Sequence, residues 1–585
     1  MIKKKYIYIY IDLLTMSALK KKDSYSRQDR HVPDIPIKEA SISECLQEYK
    51  DIIQQQSNNA ILSQIEFEIR MKANTKQQFN DIFKYAKKGG FKMNGSDYQL
   101  KILPTNHELR VEINNLANIQ EYCNTNQLPL ETSFVKKEFL SQHGGLFTNK
   151  DFLFNIAIQK ESEFSNTNPV VESLINTVNQ REKLYRYLHR TSLTCDRYPN
   201  IRIDMSEVQV VKTKDRFSKH KKMKTYYEIE LELIHMNQYA NKYFDFDSIV
   251  TQLKNVVKMM MRSIQNTSFP LPFHVLSKVK NDYLTLCNQQ YARQELRNQY
   301  PVFIGPSSLT LQKENLSKPK DNGVHVSVLK DFCVTDKADG ERKLLYINGS
   351  GQLYFVDSNL HFQYTGVNIK KSSGLSLNHT IIDGEYLTMD KNGNKINLFA
   401  AFDIYICSNQ EHRFAPFVID DEEKAKLSRY EKLKEVIRLM NQRHSLDYKS
   451  DKNRLVFTAK HFECTNESKT IFASCANVFE TASKQPYNID GLIFTSKVLG
   501  VYQDNVGEKF LPRGKFTWKH SFKWKPPEFN TIDFLMRIKR NAKGEKVIHK
   551  KRDDQMNISE YYEVHLYVGY DPKKHDTLYS QKKIL

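Results

Sequence analysis

Residues 335–342 read Thr335-Asp336-Lys337-Ala338-Asp339-Gly340-Glu341-Arg342. A lysine attacks a nucleotide α-phosphate only when deprotonated, and neighbouring cations or desolvation favour that form. Arg342 and the lysines downstream are such cations, and Gly340 lets the backbone turn tightly beside a phosphate. Taken alone, Lys-x-Asp-Gly equally describes a polar hairpin turn. The strings that follow it decide. Asp383-Gly384-Glu385-Tyr386-Leu387 ends one β run, Phe402-Asp403-Ile404-Tyr405 ends another, and Asp490-Gly491-Leu492-Ile493-Phe494 begins a third. Lys523-Trp524-Lys525-Pro526-Pro527 and Asn530-Thr531-Ile532-Asp533-Phe534 complete the set.

In this order the strings resemble motifs I, III, IIIa, IV and V of the covalent nucleotidyltransferases, the superfamily of mRNA-capping guanylyltransferases and polynucleotide ligases. The resemblance covers about residues 301–534. It implies Lys337 as the nucleophile that takes up a nucleoside monophosphate. It implies Arg342 and Glu385 as ribose or metal contacts, Phe402 and Ile493 as the faces that sandwich the base, Lys523 and Lys525 as α-phosphate ligands, and Asp490 near a metal. Two lysines at i and i+2 of one strand share a face and can meet one phosphate. Glu385 and Asp490 offer the oxygen ligation that Mg²⁺ or Mn²⁺ takes.

The N-terminal region separates capping from ligation. Glu66-Phe67-Glu68-Ile69-Arg70 places Glu66, Glu68 and Arg70 on one face of a strand, and Glu228-Ile229-Glu230-Leu231-Glu232-Leu233 places three carboxylates on one face. Like charges aligned on a face that a barrel encloses are costly unless a metal neutralises them; a solvent-facing acidic strand is the plainer alternative. Glu-x-Glu strands at both ends of a β-rich region resemble the triphosphate tunnel metalloenzymes, which include RNA 5′-triphosphatases. By that resemblance Glu66, Glu68, Glu228, Glu230 and Glu232 hold Mg²⁺ or Mn²⁺. Arg70, Arg110, Lys137, Arg202 and Asp204 line the tunnel, the choice of Lys137 over Lys136 being open. The joint resemblance, to poxvirus-type and yeast linear-plasmid capping enzymes, implies γ-phosphate hydrolysis of pppRNA followed by GMP transfer from GTP through a lysyl intermediate. The RNA 5′-triphosphate and diphosphate ends are then substrates, with a cap methyltransferase and an RNA polymerase as separate partners.

The expected fold is α+β and multidomain: a leader over 1–40, an antiparallel β tunnel over 41–240, a helical linker over 241–298, a nucleotidyltransferase α/β domain over 299–526 and a short OB-like β domain over 527–585, incomplete as read. No Arg-x-Asp-Lys string of the motif VI type follows Phe534; Arg552-Asp553-Asp554-Gln555 is the nearest and lacks the lysine. Two other readings therefore stay open, a catalytically impaired RNA-binding paralogue and an ATP-dependent polynucleotide ligase.

Composition agrees with a folded, polyanion-binding chain. The 585 residues carry 88 Lys+Arg against 68 Asp+Glu, a formal net charge of +20, with 40% hydrophobic residues. That surplus suits nucleic acid, although a Lys-rich solvated surface would give the same number. The eight cysteines are scattered without a Cys-x-x-Cys pair, which argues against a zinc site or a secreted disulfide framework and for a reducing, cytoplasmic setting. The apolar run 6–14 behind Lys3-Lys4-Lys5 resembles a signal sequence, but Asp12 interrupts it and no small-residue cleavage site follows. It is also far short of the roughly 20 residues that span a bilayer.

Overall fold

The computed structural model describes residues 37–39, 41–55, 59–105, 107–140, 146–212, 224–234, 245–287, 303–318, 326–450, 454–508, 516–529, 534–541, 546–552 and 558–567. The leader's apolar run, motif V's Asn530 to Asp533 and Asp553 to Gln555 lie outside them. The chain forms two compact units: residues 1–301 with 345–380 and 444–451, and residues 302–344 with 381–443 and 452–585.

The first unit is built on β1 (Ile37–Glu39), β2 (Ile65–Ala73), β3 (Lys92–Pro104), β4 (Leu109–Asn114), β5 (Thr132–Phe139), β6 (Leu146–Asn149), β7 (Phe154–Phe164), β8 (Lys183–Thr194), β9 (Ile201–Val211) and β10 (Thr225–Leu233). Their order is β1-β6-β7-β2-β10-β9-β8-β3-β4-β5, and β5 also pairs with β7. Eight strands thus close into an antiparallel barrel without a free edge, while β6 and β1 extend it from β7.

Alternation sets what faces where. Phe67, Ile69, Ile203, Met205, Ile229 and Leu231 point outward into a core shared with the helices Ile42–Gln54, Lys76–Lys88 and Phe246–Ile264. Their charged neighbours in sequence point into the lumen. Each fully buried aliphatic side chain there contributes about 1.5–3 kcal/mol, so an apolar jacket stabilises a charged interior. The helix Ile42–Gln54 starts at a capping box between Ser41 and Glu44. A second outer cluster, with Leu100, Val111, Tyr122 and Leu174, covers the opposite strands.

Within the segment 241–298, expected as a helical linker, the described residues 245–287 form two helices. Ile249, Leu253, Val256 and Met260 of the helix Phe246–Ile264 are buried in the barrel's jacket. A second helix, Phe273–Cys287, places Tyr283 edge-on to Tyr346 and Phe362, each at 5.4 Å. Thr267 Oγ1 donates to Tyr364 O at 2.6 Å, and the Phe269 ring occupies the space beside Gly366, whose φ of +76° suits glycine. These contacts explain why residues 345–380, expected inside the C-terminal catalytic domain, group with the N-terminal unit.

The remaining strands are β11 (Ser307–Thr310), β12 (Phe332–Ala338), β13 (Glu341–Ile347), β14 (Gln352–Val356), β15 (Phe362–Ile369), β16 (Thr380–Met389), β17 (Lys395–Cys407), β18 (Gln410–Glu411), β19 (Leu446–Tyr448), β20 (Val456–Ala459), β21 (Glu463–Cys464), β22 (Ile489–Ser496) and β23 (Thr517–Trp524). In the second unit β11-β23-β22-β12-β21 form one sheet and β18-β17-β16-β13 lie in order in another, with β20 on β17. Helices Arg429–Met440 and Ile471–Ala482 cover them. Past Pro526 the described residues form two two-stranded ladders, Leu535–Ile538 with Val564–Tyr567 and Ile548–Arg552 with Ile558–Tyr562.

Cys333 and Cys464, 131 residues apart, are joined by a disulfide because β12 and β21 place them directly opposite each other. Sequence spacing carries no trace of that cross-strand register.

Candidate active sites

In the barrel of the first unit, β2 and β10 run antiparallel with Glu232 opposite Glu68 and Glu230 opposite Arg70. Arg70 Nε donates to Glu68 at 2.7 Å, and Arg70 Nη2 reaches Gln159 at 3.1 Å. Lys137 Nζ lies 3.3 Å from both Glu66 and Glu68 and also pairs with Glu161. Lys136 pairs instead with Glu108 and Glu138, so of the two adjacent lysines Lys137 enters the lumen. Arg110 bonds Glu161 at 3.0 Å and also Glu112. Arg202 joins Asp204 at 3.1 Å and Glu232, and Asp204 accepts from Ser192 at 2.6 Å.

Several lumen residues escaped the sequence reading. Lys101 pairs with Glu112 at 3.1 Å, Arg186 with Glu228 at 2.8 Å, and Arg190 with Glu230 at 3.3 Å and Asp204 at 3.5 Å. Arg186 and Arg190 on β8 are four apart and so share a face; that spacing was the available signal. The Arg190 Nε is buried with no hydrogen-bond partner among the described residues.

Burial, then the charges of Glu161, Glu68 and Glu232, pushes the Glu66 carboxyl up to about 8 against the pull of Lys137. Burial likewise raises Glu232 to about 7. Glu161 is also desolvated, yet Lys137 and Arg110 hold it at about 2. Glu66, Glu68 and Glu232 thus form a set of mutually repelling oxygen donors in a dry site, a chemistry that fits a hard divalent cation. Among the described residues, no three carboxylate, imidazole or thiol groups stand in metal-binding geometry; the basic residues neutralise the carboxylates instead. With a rise of about 3.4 Å per residue, Glu228 lies about 14 Å along β10 from Glu232. The five glutamates therefore cannot all share one ion.

In the second unit, Lys337 lies on β12 and donates to Asp490 Oδ1 at 2.6 Å, while Lys525 holds Oδ2 at 2.7 Å. Burial would raise the Asp490 carboxyl, but hydrogen bonds from the two lysines hold it below its ordinary range. Asp490 reaches Lys337 because β22 runs antiparallel to β12, with Ile493 opposite both Thr335 and, on β23, Lys523. The approach of β22 to β23 needs Gly491, with φ at +148° and the Trp524 carbonyl where a Cβ would stand. Gly340 has the same kind of reason: a Cβ there would sit 2.8 Å from the Tyr386 carbonyl. β23 ends at Trp524, so Lys525 lies just past the strand while exposed Lys523 is within it.

Glu385, on β16, is raised to about 7 by burial, against the pull of Lys460, Lys337 and Arg342. Lys460 itself is buried and reaches Asp336 Oδ2 at 3.0 Å. The Arg342 guanidinium lies 5.6 Å from the Phe402 ring centroid. Asp403, the next residue, is locked to the wholly buried Arg429 at 2.9 Å. Lys337, its flanking lysines, two carboxylates and an aromatic face thus converge from β12, β13, β16, β17, β22 and the end of β23.

Residues 274–527 match the family model for the mRNA capping enzyme, catalytic domain. The chain is 25% identical over 423 residues to a protein described as a probable mRNA-capping enzyme from Acanthamoeba polyphaga mimivirus, covering 66% of this chain and 32% of that protein. It is 25% identical over 250 residues to an mRNA-capping enzyme of Danio rerio, covering 40% and 34%. The chain therefore spans about a third of the length of these curated relatives. Among solved structures, the RNA triphosphatase domain of a trifunctional mimivirus mRNA capping enzyme aligns with 37% of this chain and 97% of its own, at 20% identity and a TM-score of 0.27. The PH1012 protein of Pyrococcus horikoshii aligns with 33% and 89%, at 15% identity and a TM-score of 0.19. The matched stretch begins inside the helix Phe273–Cys287 and ends at Pro527, so it takes in Lys337, Arg342, Glu385, Phe402, Asp490, Ile493, Lys523 and Lys525.

Proposed function

We propose that the chain is a bifunctional mRNA-capping enzyme. Its barrel removes the γ-phosphate from 5′-triphosphate RNA, and Lys337 then takes GMP from GTP and passes it to the diphosphate end, giving GpppRNA. The observation that carries this reading is the Lys337–Asp490–Lys525 cluster within a stretch that matches the capping-enzyme catalytic domain.

In the barrel, Arg190, Arg202, Lys137 and Arg110 are placed to bind phosphate oxygens, and the unpartnered Arg190 Nε supplies an open donor. Cations and carboxylates are closely balanced there, so a polyanion needs added positive charge. Glu66, Glu68 and Glu232 would hold a divalent cation, which supplies charge neutralisation and polarisation of the scissile phosphate. We read it as Mg²⁺ or Mn²⁺ from the all-oxygen donors.

In the second unit, the Lys337 Nζ attacks the α-phosphorus of GTP, and a P–N bond replaces the bond to pyrophosphate. Lys525 and Lys523 offset the charge of the α-phosphate oxygens. The attacking nitrogen must leave Asp490, and Lys525 already neutralises that carboxylate from its other oxygen. The aromatic face of Phe402 takes the base, with Ile493 on its other side. A cap methyltransferase and an RNA polymerase are the partners that this reading calls for, and we place the protein in the cytoplasm. No helix among the described residues is long and apolar enough to cross a membrane.

The test is incubation of the purified chain with α-labelled GTP or ATP and Mg²⁺ or Mn²⁺, followed by denaturing electrophoresis, with Lys337→Ala beside it. Label from GTP that vanishes in Lys337→Ala is the expected result. Label from ATP would turn the reading to a ligase. No label from either would leave a triphosphatase fused to an inactive or partner-dependent transferase.

A further inference from the structure

Arg342 is fixed from every side. Its Nε and Nη2 donate to the two oxygens of Asp383 at 3.1 and 2.5 Å, and Nη1 donates to the Pro306 carbonyl at 2.7 Å. The Phe303 and Phe402 rings flank the guanidinium at 5.6 Å each. Asp383 is wholly buried, and its Oδ2 also accepts from the Tyr405 hydroxyl at 2.5 Å. Tyr405 is 1% exposed. The loop over Arg342 is tied down by the Tyr502 hydroxyl, which donates to the Ile304 carbonyl. Gly305 leaves no room to spare: a Cβ there would lie 2.6 Å from Arg342 Nη2 and 2.8 Å from Asp383 Oδ2.

The held cation is also well placed. It touches Phe402, which the capping reading assigns to the base, and together with Lys337 it acts on the charge of Glu385. A nucleotide with its base on Phe402 and its α-phosphate at Lys337 must carry its sugar between them, beside the N–H groups that Asp383 and Pro306 leave open. A guanidinium fork recognises hydroxyls only if its plane is fixed. We propose that Tyr405 is a positioning residue which, through Asp383, orients Arg342 toward the sugar hydroxyls of the bound nucleotide and so sets the preference for a ribonucleotide. The proposal rests on the capping reading of this site.

The test compares Tyr405→Phe with the unaltered full chain in lysyl-nucleotide formation from GTP, 2′-deoxy-GTP and 3′-deoxy-GTP. Loss of one hydrogen bond to a buried carboxylate should raise KM for GTP about tenfold and leave kcat within about twofold. The preference for GTP over at least one deoxy analogue should shrink by a similar factor. Phosphate release from triphosphate RNA, carried by the other unit, should be unchanged, and urea unfolding of the full chain reports whether the variant is folded. Gly305→Ala, which presses on the same fork from the loop side, should shrink the same preference. If it does so when Tyr405→Phe is poorly folded, the proposal stands; if neither variant alters the preference, it falls. A fall in kcat with KM and the preference intact would also overturn it, since that marks a merely structural role. An unaltered chain that takes no label from GTP would instead overturn the capping reading itself.

Discussion

Glu66 has two ways to be neutral in a desolvated lumen, a proton or a cation. Its carboxyl is raised to about 8 and that of Glu232 to about 7, so without metal the folded state keeps protons that the unfolded chain releases near pH 4.5. The folded state then binds more protons than the unfolded one across that interval, and stability falls as pH rises from about 4.5 through 7 and 8. Melting of the metal-free protein should therefore occur at lower temperature at pH 8.5 than at pH 6, and Mn²⁺ should narrow the gap by taking the proton's place. Glu66→Gln should flatten the dependence; equal melts at both pH values in chelator would contradict the assignment. Glu68 answers a sharper question, since it meets Arg70, Lys137 and, by register, Glu232. Glu68→Ala should lower γ-phosphate release by at least about 100-fold while leaving GTP labelling of Lys337 intact, a split read by running both assays on one preparation.

Among the elements, β17 and the helix Arg429–Met440 are joined by the pair Asp403–Arg429, both buried, with Arg429 also donating to the Ala415 and Leu499 carbonyls. Arg429→Met strands the buried Asp403 carboxylate, which should cost about 3–5 kcal/mol. Pairing it with Asp403→Asn should recover part of the loss, as urea unfolding of the single and double variants would measure. Burial at this pair was invisible in sequence, where Arg429 is one more cation on an amphipathic helix. What was legible was whatever is periodic or contiguous. Alternation fixed the faces of β2 and β10, and the contiguous strings around Lys337, Glu385 and Asp490 marked residues that the fold brings together. What was not legible depends on partners far away in the chain. The register of β8 against β3 and β9 brings Arg186 and Arg190 into the lumen. Apolar contacts bury the helix Phe246–Ile264 in the barrel's jacket, and the opposition of β12 and β21 joins Cys333 to Cys464.

For the molecule as a whole, the net charge of +20 has to be divided between catalysis and recruitment. Lumen cations are matched one by one with carboxylates: Arg186 with Glu228, Arg190 with Glu230, Arg202 with Glu232, Arg110 with Glu161. They add little to the surplus, which therefore lies elsewhere on the chain. Cations outside the lumen can act on the body of an RNA but not on a bare triphosphate held inside. Salt should separate the two. For γ-phosphate release from RNA of some twenty nucleotides, log kcat/KM should fall linearly with log salt, by a slope of about −0.7 for each backbone phosphate contacted. For inorganic tripolyphosphate, which meets only the lumen, the slope should be markedly shallower, because buried pairs are screened less than exposed charges. Measuring both between about 50 and 200 mM KCl gives the difference directly, and that difference divided by 0.7 estimates the number of RNA phosphates bound outside the barrel. Identical slopes would mean that the surplus charge does not recruit RNA and is only a solvated surface.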